Sequence, residues 1–152
     1  MRDATSRRTF LAGGAALAAG ALLPLPAAAR WGVVHELAGE ATINGFRLTR
    51  ASAVRAGSTI ATGADGRVWF TLAGDAYFLR PHTRLRLEPA GLGDEVVRAL
   101  RLLSGAIGAT FRSGAERSVR AATVTIGVRG TGVYVETSAK ETYACTCFGA
   151  AE

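Results

Sequence analysis

Lysine is all but missing from this chain: Lys140 is the single lysine among eighteen basic residues, and the rest are arginine. Cysteine is equally scarce, with two residues in one Cys-x-Cys, and there are only two histidines and four prolines. Two cysteines cannot build the disulfide framework of a small stapled domain, so a hydrophobic core must hold the fold. His35 and His82 are too widely separated to be placed together from sequence. Asp75, Glu88 and Glu136 lack the spacing of a general acid/base pair, and no Ser-His-Asp or Cys-His arrangement can be argued. Beyond the N-terminal segment no long helical period, repeat or low-complexity tract occurs.

What is present describes a globular chain. Hydrophobic residues make up 49% and charged residues 20% of 152 positions, enough for one domain with a real core. The formal charge is +6, and the arginine excess reads mostly as coding bias. Setting aside Arg2, Asp3, Arg7 and Arg8 leaves fifteen positive against eleven negative residues, or +4. That charge is small and scattered, without a basic patch interleaved with aromatics, so no nucleic-acid partner is expected.

Residues 1–29 read as an address. Arg7 and Arg8 precede Phe10 and Leu11, and Leu11–Leu23 contains only alanine, glycine and leucine. The run is too short and too weakly apolar for a comfortable membrane span. Pro24 and Pro26 break it, and Ala27-Ala28-Ala29 offers small residues for cleavage. Ser6-Arg7-Arg8-Thr9-Phe10-Leu11 resembles a twin-arginine export signal, which implies a bacterial protein folded before export. The expected mature chain starts near Arg30 in the periplasm or beyond, with no membrane span after cleavage. A signal helix kept as an uncleaved anchor and a chance arginine pair before a buried helix are the alternatives.

From Arg30 onward, short apolar runs are punctuated by Gly, Asn and Asp. Asn44-Gly45 between Ile43 and Phe46 is the pair a type I′ hairpin turn prefers. In "RVWFTLAGDAYFLRP", Val68, Phe70 and Leu72 share one face and Trp69 and Thr71 the other; Gly74-Asp75 then turns into Ala76–Leu79. "RLRLE" puts Leu85 and Leu87 inward and Arg84 and Arg86 outward. Further strands are expected over Val33–Leu37, Ser58–Ala61, Val97–Leu103, Ala106–Phe111, Val119–Ile126, Val133–Thr137 and Thr142–Phe148. "DEVVRALRLLSG" also suits a short amphipathic helix, and its surroundings favour strand. The fold class is all-β: a single domain of short strands over 30–152, as a β-sandwich or β-helical roll, preceded by the signal helix.

"TVTIGVRGTGVYVE", residues 123–136, carries three glycines between β-branched runs. A phosphate loop needs converging N–H groups and a following helix, but Val133–Thr137 alternates as a strand and no Lys-Ser/Thr follows. A bend or bulge is the better account, with Gly127 and Gly130 freeing the backbone and Arg129 projecting outward. Val128-Arg129-Gly130-Thr131 resembles the signature of the FecR-type domain. "GEATINGFRL", the block containing Thr62-Gly63 and Arg80-Pro81, and "LRLLSGAI" ending in Gly105 are similar to earlier blocks of that family in the same order. The resemblance spans roughly residues 33–149. Ala121-Ala122 and Ala73-Gly74-Asp75 depart from its usual Thr-Pro and Asp-Gly-Ser, and the family usually continues past Gly149 into a further strand.

The resemblance implies an extracytoplasmic, non-enzymatic β domain used in envelope signalling or as a module of exported proteins. Arg129, Gly130 and Thr131 are the expected binding or bend motif, and the partner is a protein or envelope component. Only six residues precede the twin arginines, so the cytoplasmic segment of a full sigma-factor regulator is not expected. A free-standing exported binding domain fits better, and a purely structural envelope module is its bland alternative.

Cys145 and Cys147 are the remaining chemistry. Along a strand they share a side, with Cα atoms about 6.6 Å apart, near the upper limit for a disulfide. They read as two packed thiols, as a strained disulfide or redox pair, or as part of a metal site to which only His35 and His82 could be added. No other cofactor is expected.

Overall fold

Asn44 and Gly45 adopt φ of 52° and 85°, and close the hairpin of β2 (Ala41–Ile43) and β3 (Phe46–Arg47). The computed structural model describes residues 31–92 and 96–151. The expected signal helix, Arg7, Arg8 and the cleavage point lie outside the described residues, as do Asp94 and Glu95. The described chain is all-β, and no helix in it is long and apolar enough to cross a membrane. The other strands are β1 (Val33–Ala38), β4 (Thr59–Thr62), β5 (Arg67–Leu72), β6 (Asp75–Leu79), β7 (Arg84–Pro89), β8 (Val97–Thr110), β9 (Glu116–Arg120), β10 (Thr125–Thr137) and β11 (Thr142–Ala151).

They form one curled sheet, antiparallel apart from a short parallel pairing of β8 with β9. Its main path runs β1-β5-β6-β8-β7-β4-β2-β3, with β9, β10 and β11 joined through β8 and β10. The curl is made by β8. Up to Ser104 it pairs with β7 and, at Ala99–Arg101, with β9; from Gly105 it pairs with β10, and from Ile107 with β6. Gly105 stands at φ +80°, where a Cβ would lie 2.5 Å from the Cα of Thr83, so only glycine fits this corner.

Two buried threonines tie the corner. Thr62 Oγ1 donates to the Arg80 carbonyl at 2.7 Å and accepts from the Thr83 amide at 2.9 Å. Thr83 Oγ1 donates to the Ala106 carbonyl and accepts from the Ala106 amide, both at 3.0 Å. Backbone groups that the curl removes from the ladders are thereby satisfied, as buried polar groups must be. Thr62, Arg80 and Gly105, distant in sequence, thus meet at one place.

Alternation fills the interior. Val68, Phe70 and Leu72, then Leu85 and Leu87, are buried as expected, and they join Leu100, Leu102, Ile107, Val133 and Val135 in one core. Each such side chain contributes about 1.5–3 kcal/mol on burial. Phe70 stacks on Tyr77 with centroids 4.9 Å apart, and Phe111 meets Tyr77 edge-on at 6.2 Å.

Three strand expectations need correction. Val97–Leu103 and Ala106–Phe111 are a single strand, because a positive-φ glycine turns the chain while the ladder continues. Val119–Ile126 is instead a hairpin: β9 ends at Arg120, the Ala121 amide bonds the Val124 carbonyl at 2.9 Å, and Ile126 pairs back onto Val119. Its β-branched residues suit both arms, which concealed the turn. The strands are also not uniformly short, since β8, β10 and β11 hold 14, 13 and 10 residues.

Candidate functional site

The glycine stretch is a bulged strand. β10 pairs with β9 through Arg129, then with β8 from Gly132, and its register against β11 shifts between Arg129 and Gly132. Gly130 takes φ +77°, and a Cβ there would meet nothing within 4 Å, so backbone conformation alone requires glycine. Gly127 and Gly132 have no positive φ. Arg129 is exposed and lines a shallow groove of about 200 Å³ with Glu116 and Gly127. Thr131 lies in β10 beside the bulge.

On the outward face, pairing register assembles a row that sequence spacing does not reveal. Trp69 pairs with Phe78, Phe78 with Gly108, Gly108 with Tyr134, and Tyr134 with Cys145. His35 stacks against Trp69 at 4.8 Å, and its Nε2 bonds Thr71 Oγ1 at 2.8 Å. Tyr143 meets Tyr134 at 6.5 Å. An aromatic band therefore crosses β1, β5, β6, β8, β10 and β11, interrupted at Gly108. Trp69, Phe78 and Tyr143 remain 42%, 40% and 62% exposed, unusually open for residues of this type.

The interruption forms a slot. A groove of about 270 Å³ is lined by Trp69, Phe78, Gly108, Thr110, Gly132 and Cys147, with Tyr77 and Ala109 beneath. A Cβ at position 108 would meet only the Phe78 Cβ, at 3.9 Å, which is ordinary contact. Packing therefore does not demand this glycine, and neither does positive φ. Its effect is to leave space between two aromatic side chains. Tyr134, the next residue of the row after Gly108, does not line the slot; its hydroxyl donates to Glu136 Oε2 at 3.0 Å, and partial burial and that bond hold its pKa above the ordinary value.

β11 pairs only with β10, so its other edge is free among the described residues. Ala144 and Thr146 are exposed although they face the side that β10 buries with Val133 and Val135. A strand this open is a template for another strand. Cys145 and Cys147 are free and exposed on it, which corrects the expectation of two thiols packed as small hydrophobes. Both lie on the outward face of the sheet, the side of Tyr134 and away from the core, which Ala144 and Thr146 face instead. Cys147 lines the slot, Arg129 does not, and the two expected site groups are thus not brought into one groove. His35 lies on β1 and His82 in the β6–β7 turn, and no cluster of three or more His, Cys, Asp or Glu able to hold a metal ion occurs among the described residues.

A buried ionic centre supports this face from below. The Asp75 side chain is 1% exposed and accepts from Arg117 Nε at 3.0 Å, while its other oxygen accepts from the Arg112 amide at 3.0 Å. The Arg117 side chain is 7% exposed and also donates to the Glu116 carbonyl at 3.1 Å. The Tyr77 hydroxyl donates to Asp75 Oδ2 at 3.4 Å. Burial first, then the Asp75 charge, hold the Tyr77 phenol far above its ordinary pKa of 10.0. From sequence only a Gly74-Asp75 turn is legible here. An aspartate directly before the alternating run Ala76–Leu79 was the available signal; the positive φ of Ala73 and Gly74, 52° and 84°, is seen only in the fold.

Comparison with protein-family models, curated proteins and solved structures returned no match.

Proposed function

We infer that the chain is an exported, non-enzymatic FecR-like domain that binds a protein partner of the cell envelope. The proposed site is the aromatic face beside the free edge of β11. The family part of this reading, including a sandwich-like or β-helical roll, periplasmic location and a role in envelope signalling, rests on the sequence resemblance. The binding part rests on one observation above all: Gly108 holds open an apolar slot in an otherwise continuous aromatic band. Such a slot suits an apolar or aromatic side chain of a partner segment, while the adjacent edge offers unpaired backbone groups to the same segment. Arg129, exposed on the same strand pair, serves as a flanking contact.

A photoreactive residue tests this in the exporting cell. Placed at Tyr143 it should give a discrete adduct with one envelope protein, and placed at Arg47 on the far strand β3 it should not. Equal adducts from both positions, or none from Tyr143 in a folded, exported protein, would count against the assignment. The exposed thiols favour a second reading, a redox protein using Cys145 and Cys147. In that case, replacing both by serine would abolish function while leaving the Tyr143 adduct intact.

A further inference from the structure

Three arginines occupy consecutive cross-strand positions on the outer surface of β7, β8 and β9. Arg86 pairs with Arg101, and Arg101 pairs with Arg120. Like charges placed directly opposite one another repel, and strands usually avoid the arrangement. Here the Arg101 and Arg120 side chains are 58% and 55% exposed, so their guanidinium groups are open to a ligand. Arg84 and Arg98 are exposed on β7 and β8 as well.

One carboxylate bridges the ladder. Glu88 Oε2 accepts from Arg120 Nη1 at 3.0 Å, while Oε1 stands 3.9 Å from Arg101 Nη1, too far for a hydrogen bond. The Glu88 side chain is 20% exposed and sits where two concavities meet. One, of about 550 Å³, is lined by Arg98, Glu116, Ser118 and Arg120; the other, of about 530 Å³, by Arg86, Arg101 and Leu103. Glu88 and Pro89 border both.

We propose that the Arg86–Arg101–Arg120 ladder binds a multivalent phosphate ligand, and that Glu88 is its built-in competitor. Adjacent strands space the guanidinium groups about 4.8 Å apart at their base, so neighbouring phosphates of one ligand can each meet a fork of N–H donors. A single carboxylate or phosphate would have to displace Glu88, which is tethered at high effective concentration. A ligand with several phosphates brings more charge than Glu88 can match. Among the described residues no aromatic side chain lines either concavity, so they offer no stacking platform for single-stranded nucleic acid there. The proposal is independent of the aromatic face and of the family resemblance.

The test titrates the full chain with inorganic tripolyphosphate at low salt, and in a second arm with phosphatidylcholine vesicles with and without phosphatidylglycerol. Saturable tripolyphosphate binding that is lost at high salt is expected, with orthophosphate far weaker. Arg101→Gln and Arg120→Gln should each weaken it about tenfold, the value of one charge-assisted contact. Glu88→Gln should tighten it by a similar factor, a gain that no unfolding artefact mimics. Arg47→Gln, on β3, should leave it unchanged. Binding to anionic vesicles with the same variant pattern identifies a lipid headgroup as the source, and binding to tripolyphosphate alone identifies a soluble one. The proposal is overturned by binding in neither arm, by a Glu88→Gln variant that binds no tighter, by arginine variants that bind like the parent, or by tighter binding to a single-stranded oligonucleotide.

Discussion

Replacing Asp75 by asparagine tests the buried ionic centre, and its cost can be worked out from the contacts. The new amide would keep a carbonyl oxygen for the Arg112 N–H, which now bonds Oδ1 at 3.0 Å. It would leave Arg117 without its counter-charge, in a site where that side chain is only 7% exposed. An unpaired buried guanidinium after loss of its partner costs about 3–5 kcal/mol. That is a large share of the roughly 5–15 kcal/mol by which a domain is stable. With a urea slope of about 1–3 kcal/mol/M, the midpoint should fall by roughly 1–5 M. The assay is urea unfolding followed by tryptophan fluorescence, with far-ultraviolet circular dichroism as the second probe. A double-mutant cycle with Arg117→Met isolates the pair: Asp75→Asn should cost much less when Arg117 is already gone. A loss under about 1 kcal/mol for Asp75→Asn alone, or simple additivity in the cycle, would refute the claim of a desolvated, coupled pair.

Tyr77 gives an alkaline signature. Its folded pKa lies above its unfolded one, so the native state holds a proton that the unfolded state releases above about pH 10. Stability should be unaffected by this group below pH 10 and then fall with a slope approaching 1.4 kcal/mol per pH unit; Tyr77→Phe should flatten that slope in urea melts. Ala73 sits at φ 52° in the β5–β6 turn, where an L-residue is strained by about 1–2 kcal/mol. Asparagine tolerates that conformation better, and Ala73→Asn should raise the thermal midpoint, corresponding to roughly 0.5–1 kcal/mol. Cys145 and Cys147 are exposed in the fold, so both should react with a thiol reagent in native buffer nearly as fast as in denaturant. Slow native labelling would place them in a buried setting.

The fold class was legible because alternation is a local property. Phe70 and Leu72, or Leu85 and Leu87, declare their face within a few residues, and Asn44-Gly45 declares its turn. The curl was not legible, since it depends on Gly105 finding Thr83 and on Thr62 reaching Thr83 across a gap of 21 residues. The aromatic band was hidden for the same reason. Trp69 was placed on the outward face, but its alignment with Phe78, Gly108 and Tyr134 is set by three successive registers that join residues 9, 30 and 26 positions apart. Arg129 was found from sequence as an exposed residue; the slot between β6 and β11 was not. A buried aspartate next to a glycine looks like any turn until Arg117 arrives from β9 to neutralise it.

Partner binding through the slot is the central claim, and Gly108→Leu addresses it most directly. The added side chain starts from a Cβ position with ordinary clearance and fills the gap between Phe78 and Tyr134. The account predicts a thermal midpoint within a few degrees of the parent and loss of the Tyr143 photo-adduct. An undiminished adduct from a folded Gly108→Leu protein would contradict it.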